Sequence, residues 1–401
     1  MTVTLIRNVR LTGSDEPTPG NVLIRDGQIT AVDRDTGPGG YKADVEIDGN
    51  GQLLIPGMID VHIHGADGFD MMDGTIRSVE AVSEACARTG CTSFLATSVS
   101  SSLESLFGMI SSVSRVKGRE SGARIAGMHI EGPFLNVKRK GMQNEQFLRH
   151  PDLDEMKAIL QNAGSLIRMV TLAPELPGGL EMVAFLKARG IIVSVAHSDA
   201  TYEEAKQAFQ SGASHVTHCF NGMRPIHHRD PGMIVAAFEE NHVSVQAIVD
   251  DVHLHPAIVR MLYREKGADK MVLITDALQA MGMGDGTYLF GGHKVTVTQG
   301  VAKLEDGTLA SSTVTMNMAL AKTVRAGIPL NDAVLMATET PANVLGLSRK
   351  GRIAPGMDAD LVLLNEQFKV LWTIIDGKIV YRRSKGGDEA LKETGGSGVP
   401  E

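Results

Sequence analysis

The chain has 401 residues, 43% hydrophobic and 21% charged, and its net charge of −8 leaves no overall basic footprint for nucleic acid or an anionic membrane. That balance excludes a largely disordered chain. Three cysteines exclude a disulfide scaffold and fit a reducing compartment, so a cytoplasmic location is expected.

The opening MTVTLIRNVR lacks the apolar core and small-residue cleavage site of a signal peptide. No apolar run reaches the roughly 18 residues of a membrane span. At about 150 residues per domain the length predicts two to three units, although an α/β barrel uses about 250 residues as one.

Residues 3–55 read as short strands. Asp26-Gly27 sits at the centre of the alternating segment 22–32, a hairpin signal. The segments 359–364 and 372–381 repeat the pattern around Asp376-Gly377. Hairpins at both ends predict one small β domain built from 1–55 and 351–384. The competing reading is two separate edge hairpins packed on a larger body.

Between them, eight β-rich segments can be marked at 53–64, 92–99, 124–131, 166–173, 191–197, 215–220, 242–250 and 270–276. Helical patterns fall between most of them, at Ile76–Arg88, Leu153–Gln161, Leu180–Ala188, Tyr202–Phe209 and Ala257–Lys266. Two more follow at Met316–Arg325 and Asn331–Leu345. Gly90, Gly190, Gly212 and Gly267 stand where helices would stop. Strand alternating with helix predicts parallel βα units, and eight repeats predict a (β/α)₈ barrel over 56–350. An open doubly wound sheet is the alternative, but no Gly-x-Gly-x-x-Gly follows the first strand. Residues 385–401, charged and rich in Gly and Ser, read as a mobile tail.

The chemistry lies at the strand ends. His62 and His64 alternate onto one strand face and could share a metal ion. Glu131 closes the third strand, His197 the fifth, His218 the sixth, Asp250 and His253 the seventh, and Asp276 the eighth. Any one of these could be a structural histidine or a helix cap. In a barrel they all converge on the C-terminal mouth, where active sites sit. Nitrogen and carboxylate ligands without a cysteine set suit zinc, iron, manganese or cobalt. Cys86, Cys91 and Cys219 read as buried small hydrophobes.

Pro56-Gly-Met-Ile-Asp-Val-His-Ile-His-Gly65 resembles the opening signature of the amidohydrolase superfamily. His129-Ile-Glu-Gly-Pro-Phe134, Ala196-His-Ser-Asp199, His218-Cys-Phe-Asn-Gly-Met223, His227-His-Arg-Asp-Pro-Gly232, Ile274-Thr-Asp-Ala277 and Gly307-Thr-Leu-Ala-Ser-Ser312 resemble the N-acetylglucosamine-6-phosphate deacetylases. The resemblance runs from about residue 3 to 383. It implies a (β/α)₈ barrel with a β-sandwich made from both termini, and hydrolysis of an N-acetyl amino-sugar phosphate. It implies Glu131, His197 and His218 as ligands of one divalent metal, His62 and His64 as the extra pair of members holding a second, and Asp276 as both the catalytic carboxylate and a metal-site residue. Gln143, Asn221, Gly222, Arg229, His253 and Ser312 match substrate-side positions. Gln143 stands where other members have His or Gln, and Ser311 replaces a more usual Gly.

The resemblance also implies a homodimer, with Arg229 reaching the ligand across the interface. Arg229 in the cluster His227-His228-Arg229 suits a phosphate. The main rival substrate is another N-acetylhexosamine-6-phosphate, such as the galactosamine epimer. Related cyclic-amide hydrolases that use a carbamylated lysine on strand four are disfavoured, because 169–175 contains none. A non-catalytic scaffold should have lost ligands, and this chain keeps the set.

Overall fold

The alternation read in the sequence builds an eight-stranded parallel sheet in the computed structural model, which describes residues 2–13, 16–34 and 42–384. The tail expected at 385–401 lies outside the described residues. The strands are Met58–Ile63, Cys91–Thr97, Arg124–Glu131, Ile167–Leu172, Ile192–Val195, His215–Val216, Ser244–Ile248 and Met271–Ile274. Each pairs with the next in chain order, all parallel. Beyond the last strand, Asp276 N–H donates to the His62 carbonyl (2.8 Å) and Ile63 bridges Ala277, which closes the sheet into a barrel. The barrel core continues outward under the helices through residues such as Phe94, Ile130, Val195 and Leu273.

The sixth strand is shorter than its apolar pattern. The ladder stops at Val216, because the backbone turns to positive φ at His218 (30°) and Phe220 (80°). Helices form where expected, several with side-chain caps. Thr75 and Thr201 each close a capping box on the helices Ile76–Arg88 and Tyr202–Ser211. The stretch 331–345 is two helices, Leu330–Ala337 and Glu339–Leu345. Pro341 has no N–H for the Ala337 carbonyl, so one continuous helix would lack that bond. Helices Leu103–Val116 and Gly232–Glu239 complete the ring.

A seven-stranded sheet draws on both ends of the chain. Its order is Lys378–Arg382, Val370–Ile375, Leu361–Leu364, Val45–Pro56, Val3–Leu11, Thr18–Arg25 and Gln28–Arg34. Both expected hairpin turns are present. Asp26 (φ 50°) with Gly27 (81°), and Asp376 (50°) with Gly377 (75°), hold the left-handed pair that a two-residue turn needs. The sheet curls until the two turns meet: Ala359 N–H donates to the Gly27 carbonyl (2.8 Å) and Gly377 N–H to the Ala359 carbonyl (3.0 Å). Ile6, Leu11, Val22, Ile24, Leu54, Leu361 and Ile374 fill the space enclosed.

A further three-stranded antiparallel sheet, Gly286–Phe290, His293–Thr298 and Val301–Lys303, follows the last barrel strand. Its Gly291-Gly292 turn between alternating segments was a readable hairpin signal that the barrel pattern overshadowed. Phe290 lays its ring against His64 (centroids 5.3 Å apart), and the chain beyond the sheet enters the barrel mouth.

Candidate metal centre

Six side chains from five strand ends meet at the barrel mouth in two triads, His62/His64/Asp276 and Glu131/His197/His218. Within each triad the possible ligand atoms lie within 4.8 Å of one another, and all six residues are buried. His62 and His64 approach Nε2 to Nε2 at 3.0 Å, and His197 and His218 at 3.1 Å. Glu131 lies between the groups. Its Oε1 is 3.0 Å from His218 Nε2, 3.4 Å from His197 Nε2 and 3.8 Å from His62 Nε2, while its Oε2 is 3.7 Å from His64 Nε2. Asp276 Oδ1 is 3.1 Å from His64 Nε2.

The backbone aims these groups at some cost. His197 (φ 46°), His218 (30°), Asp276 (50°) and Ser311 (57°) all sit in the left-handed region, which non-glycine residues enter at roughly 1–3 kcal/mol each. Such strain is retained where the surrounding structure needs the side chain in one place.

The outer nitrogens decide what the inner ones are. His197 Nδ1 is 2.9 Å from the Arg139 carbonyl and His64 Nδ1 is 3.3 Å from the Thr97 carbonyl. A carbonyl only accepts, so Nδ1 of each ring donates to it and Nε2 is the nitrogen turned to the centre, the one that can offer a lone pair to a metal. Such lone pairs, about 3 Å apart beside two carboxylates, would repel unless a cation, a proton or a metal, lay among them. The donor set therefore fits a divalent metal, with ring orientation fixed from behind.

Without a cation, the charges compensate each other. Burial pushes His62 down to about 4. Burial also opposes charge on His64, but the hydrogen bond and charge of Asp276 hold it up at about 9. Glu131 is held well below the usual carboxylate range, against its burial, by His62, His197 and His218. Asp276 is likewise lowered, against burial, by His62 and His64.

The mouth forms a cavity of about 220 Å³. Of the expected substrate-side residues, Gln143, Asn221, Gly222 and His253 line it. Gln143 Nε2 donates to Glu131 Oε2 (2.7 Å) and its Oε1 accepts from Ser100 N–H (2.8 Å). His253 is oriented by Asp250 (Nδ1 to Oδ2, 2.7 Å). Ser312 does not line the cavity; its hydroxyl donates to the Thr275 carbonyl (2.5 Å), and Ser311 faces the space instead. Arg229 is exposed, off the cavity wall, with Nη1 2.7 Å from His228 Nε2. Gly141, Met142, Thr308 and Leu309 complete the wall, and the sequence alone assigns none of them a role of its own.

Below the centre, His129 Nε2 is 2.7 Å from Thr171 Oγ1, which is 2.7 Å from Thr217 Oγ1. Asp60, buried and raised to about 7 by that burial, accepts from Thr275 Oγ1 (2.5 Å) and His62 N–H (3.2 Å), joining the first and last strands.

The family described as amidohydrolases matches residues 53–380. The chain belongs to the amidohydrolase family. Among relatives of this amidohydrolase, the N-acetylglucosamine-6-phosphate deacetylase of Bacillus subtilis (strain 168) is 37% identical over 94% of this chain and 97% of its own length. The N-acetylgalactosamine-6-phosphate deacetylase of Escherichia coli O157:H7 is 33% identical over 82% and 88%. A variant of the Mycobacterium smegmatis N-acetyl-D-glucosamine-6-phosphate deacetylase, solved in complex with N-acetyl-D-glucosamine-6-phosphate, superposes with a TM-score of 0.87. It has 34% identity and covers 94% of this chain and 99% of that one.

Proposed function

We propose that this chain hydrolyses the acetamide of N-acetylglucosamine-6-phosphate to glucosamine-6-phosphate and acetate. The observation that carries the reaction type is the paired buried triads around Glu131, open to a sugar-sized cavity. The substrate follows from the deacetylase relatives, one 37% identical over 94% of the chain. The galactosamine epimer is kept as a second reading because a relative of that name matches 82% of the chain.

One or two divalent ions per subunit, held by Glu131, His197 and His218 and by His62, His64 and Asp276, would polarise the acetyl carbonyl and acidify a water. Zinc, iron, manganese and cobalt all suit these ligands. Asp276 is kept ionised by its histidine neighbours and accepts the water's proton as oxygen attacks the acetyl carbon. It then returns that proton to the amine nitrogen as the C–N bond breaks. Gln143 has a second amide hydrogen, beyond the one given to Glu131, to donate to the developing oxyanion. His253, pinned by Asp250, orients the sugar through a hydroxyl.

Arg229 lies off the cavity of its own chain, which supports a phosphate role at the site of a second copy and hence a homodimer. Three buried free thiols support a cytoplasmic location. Among the described residues no helix is long and apolar enough to cross a membrane.

Asp276→Asn tests the assignment. Acetate release should fall about 10²- to 10⁴-fold while the protein stays folded and keeps metal on the Glu131 triad. A variant within tenfold of the parent would remove Asp276 from the proton path.

A further inference from the structure

Gln246 lies on the seventh barrel strand, Ser244–Ile248, and is fully buried. Its Oε1 is 3.1 Å from His62 Nδ1 and 3.3 Å from the backbone nitrogen of His218. A backbone N–H can only donate, so the amide atom facing His218 must be the oxygen. That oxygen can only accept from His62, so the proton of His62 sits on Nδ1 and its Nε2 presents a lone pair to the centre. The amide nitrogen faces Met169 Sδ at 3.7 Å, a weak acceptor that gives no reason to turn the group over. The backbone of Gln246 is tied in as well, its carbonyl accepting from Cys219 N–H (2.9 Å).

His62 belongs to one triad and His218 to the other. One buried oxygen therefore touches both. We propose that Gln246 is a positioning residue that selects the Nδ1–H tautomer of His62 and holds the positive-φ turn at His218, so that the two metal groups are built together. This rests on the metal-dependent reading above, and its test needs no substrate, so the two can fail separately.

The test uses the full chain, stripped of metal and then titrated with zinc. Nitrogen-15 NMR should find His62 of the parent protein protonated at Nδ1; protonation at Nε2 would overturn the proposal before any variant is made. Gln246→Leu should mix the tautomers and weaken zinc at the His62/His64/Asp276 group about 10- to 100-fold, the usual effect of losing a partner behind a ligand. Gln246→Glu keeps an accepting oxygen and should keep the Nδ1–H tautomer. It also carries the test if the leucine variant fails to fold, because loss of that tautomer in the glutamate variant would count against the assignment. A general loss of stability would not by itself change the tautomer. A leucine variant with the parent's tautomer and zinc affinities within about twofold would overturn the proposal.

Discussion

Gly222→Ala isolates one contact on which the Glu131 triad depends. Gly222 has φ 62°, and a Cβ there would lie 2.8 Å from His197 Nδ1 and 3.2 Å from the Arg139 carbonyl oxygen. Those two atoms make the 2.9 Å hydrogen bond that orients His197, so the new methyl would wedge into it. The left-handed backbone costs about 1–2 kcal/mol for alanine. A weakened buried hydrogen bond adds about 1–3 kcal/mol. Stability should fall by about 2–5 kcal/mol in urea denaturation, and displacement of His197 should lower metal affinity or turnover about 10- to 100-fold. Gly190→Ala is the control. Its φ is 71° but nothing lies within 4 Å of a Cβ, so it should lose only the backbone part and keep full activity. If Gly222→Ala matched Gly190→Ala in stability, metal content and rate, the orienting role of the Arg139 carbonyl would be refuted.

Arg229→Ala should raise KM for the 6-phosphorylated substrate and barely change the slow turnover of the unphosphorylated sugar; equal losses on both would remove its phosphate role. Lys266, the buried last residue of the helix Pro256–Lys266, donates to the carbonyls of Ala237 (2.8 Å) and Glu240 (2.9 Å) and is lowered by burial from 10.5 to about 8. Between those values the unfolded chain binds more protons than the folded one. The lysine's contribution should therefore rise with pH from about 8 to 10.5 and be lost as pH falls back through 8. At about 1.36 kcal/mol per unit, the stability difference between parent and Lys266→Met should shift by at most about 3.4 kcal/mol across that window. A flat difference would contradict the burial cost.

Much of the centre was legible because strand alternation is strict. His62 and His64 had to share a face, and charged or imidazole residues at successive strand ends had to converge once the strands closed into a barrel. Depth was harder to read. His129 and Glu131 also share a face, yet one residue pair, about 6.6 Å along a strand, separates a ligand candidate from a floor residue bonded to Thr171. Turns were harder still. The positive φ values at His197, His218, Asp276 and Ser311 follow no propensity, because the closed barrel and its neighbours impose them. That is why Ser311 rather than Ser312 faces the cavity. Gln246 carried no signal in a short apolar strand; its meaning comes from two donors that only the closed barrel brings to one oxygen.

Everything proposed for the paired triads turns on hydrolysis of an N-acetylated sugar phosphate. The most direct test is acetate release by the metal-analysed protein across N-acetylhexosamines, each with and without the 6-phosphate. Bound transition metal is expected, with a kcat/KM for N-acetylglucosamine-6-phosphate at least about tenfold above its epimers and its unphosphorylated form, a gap of roughly 1.4 kcal/mol in transition-state binding. Metal-loaded protein that releases no acetate from any of these sugars would contradict it.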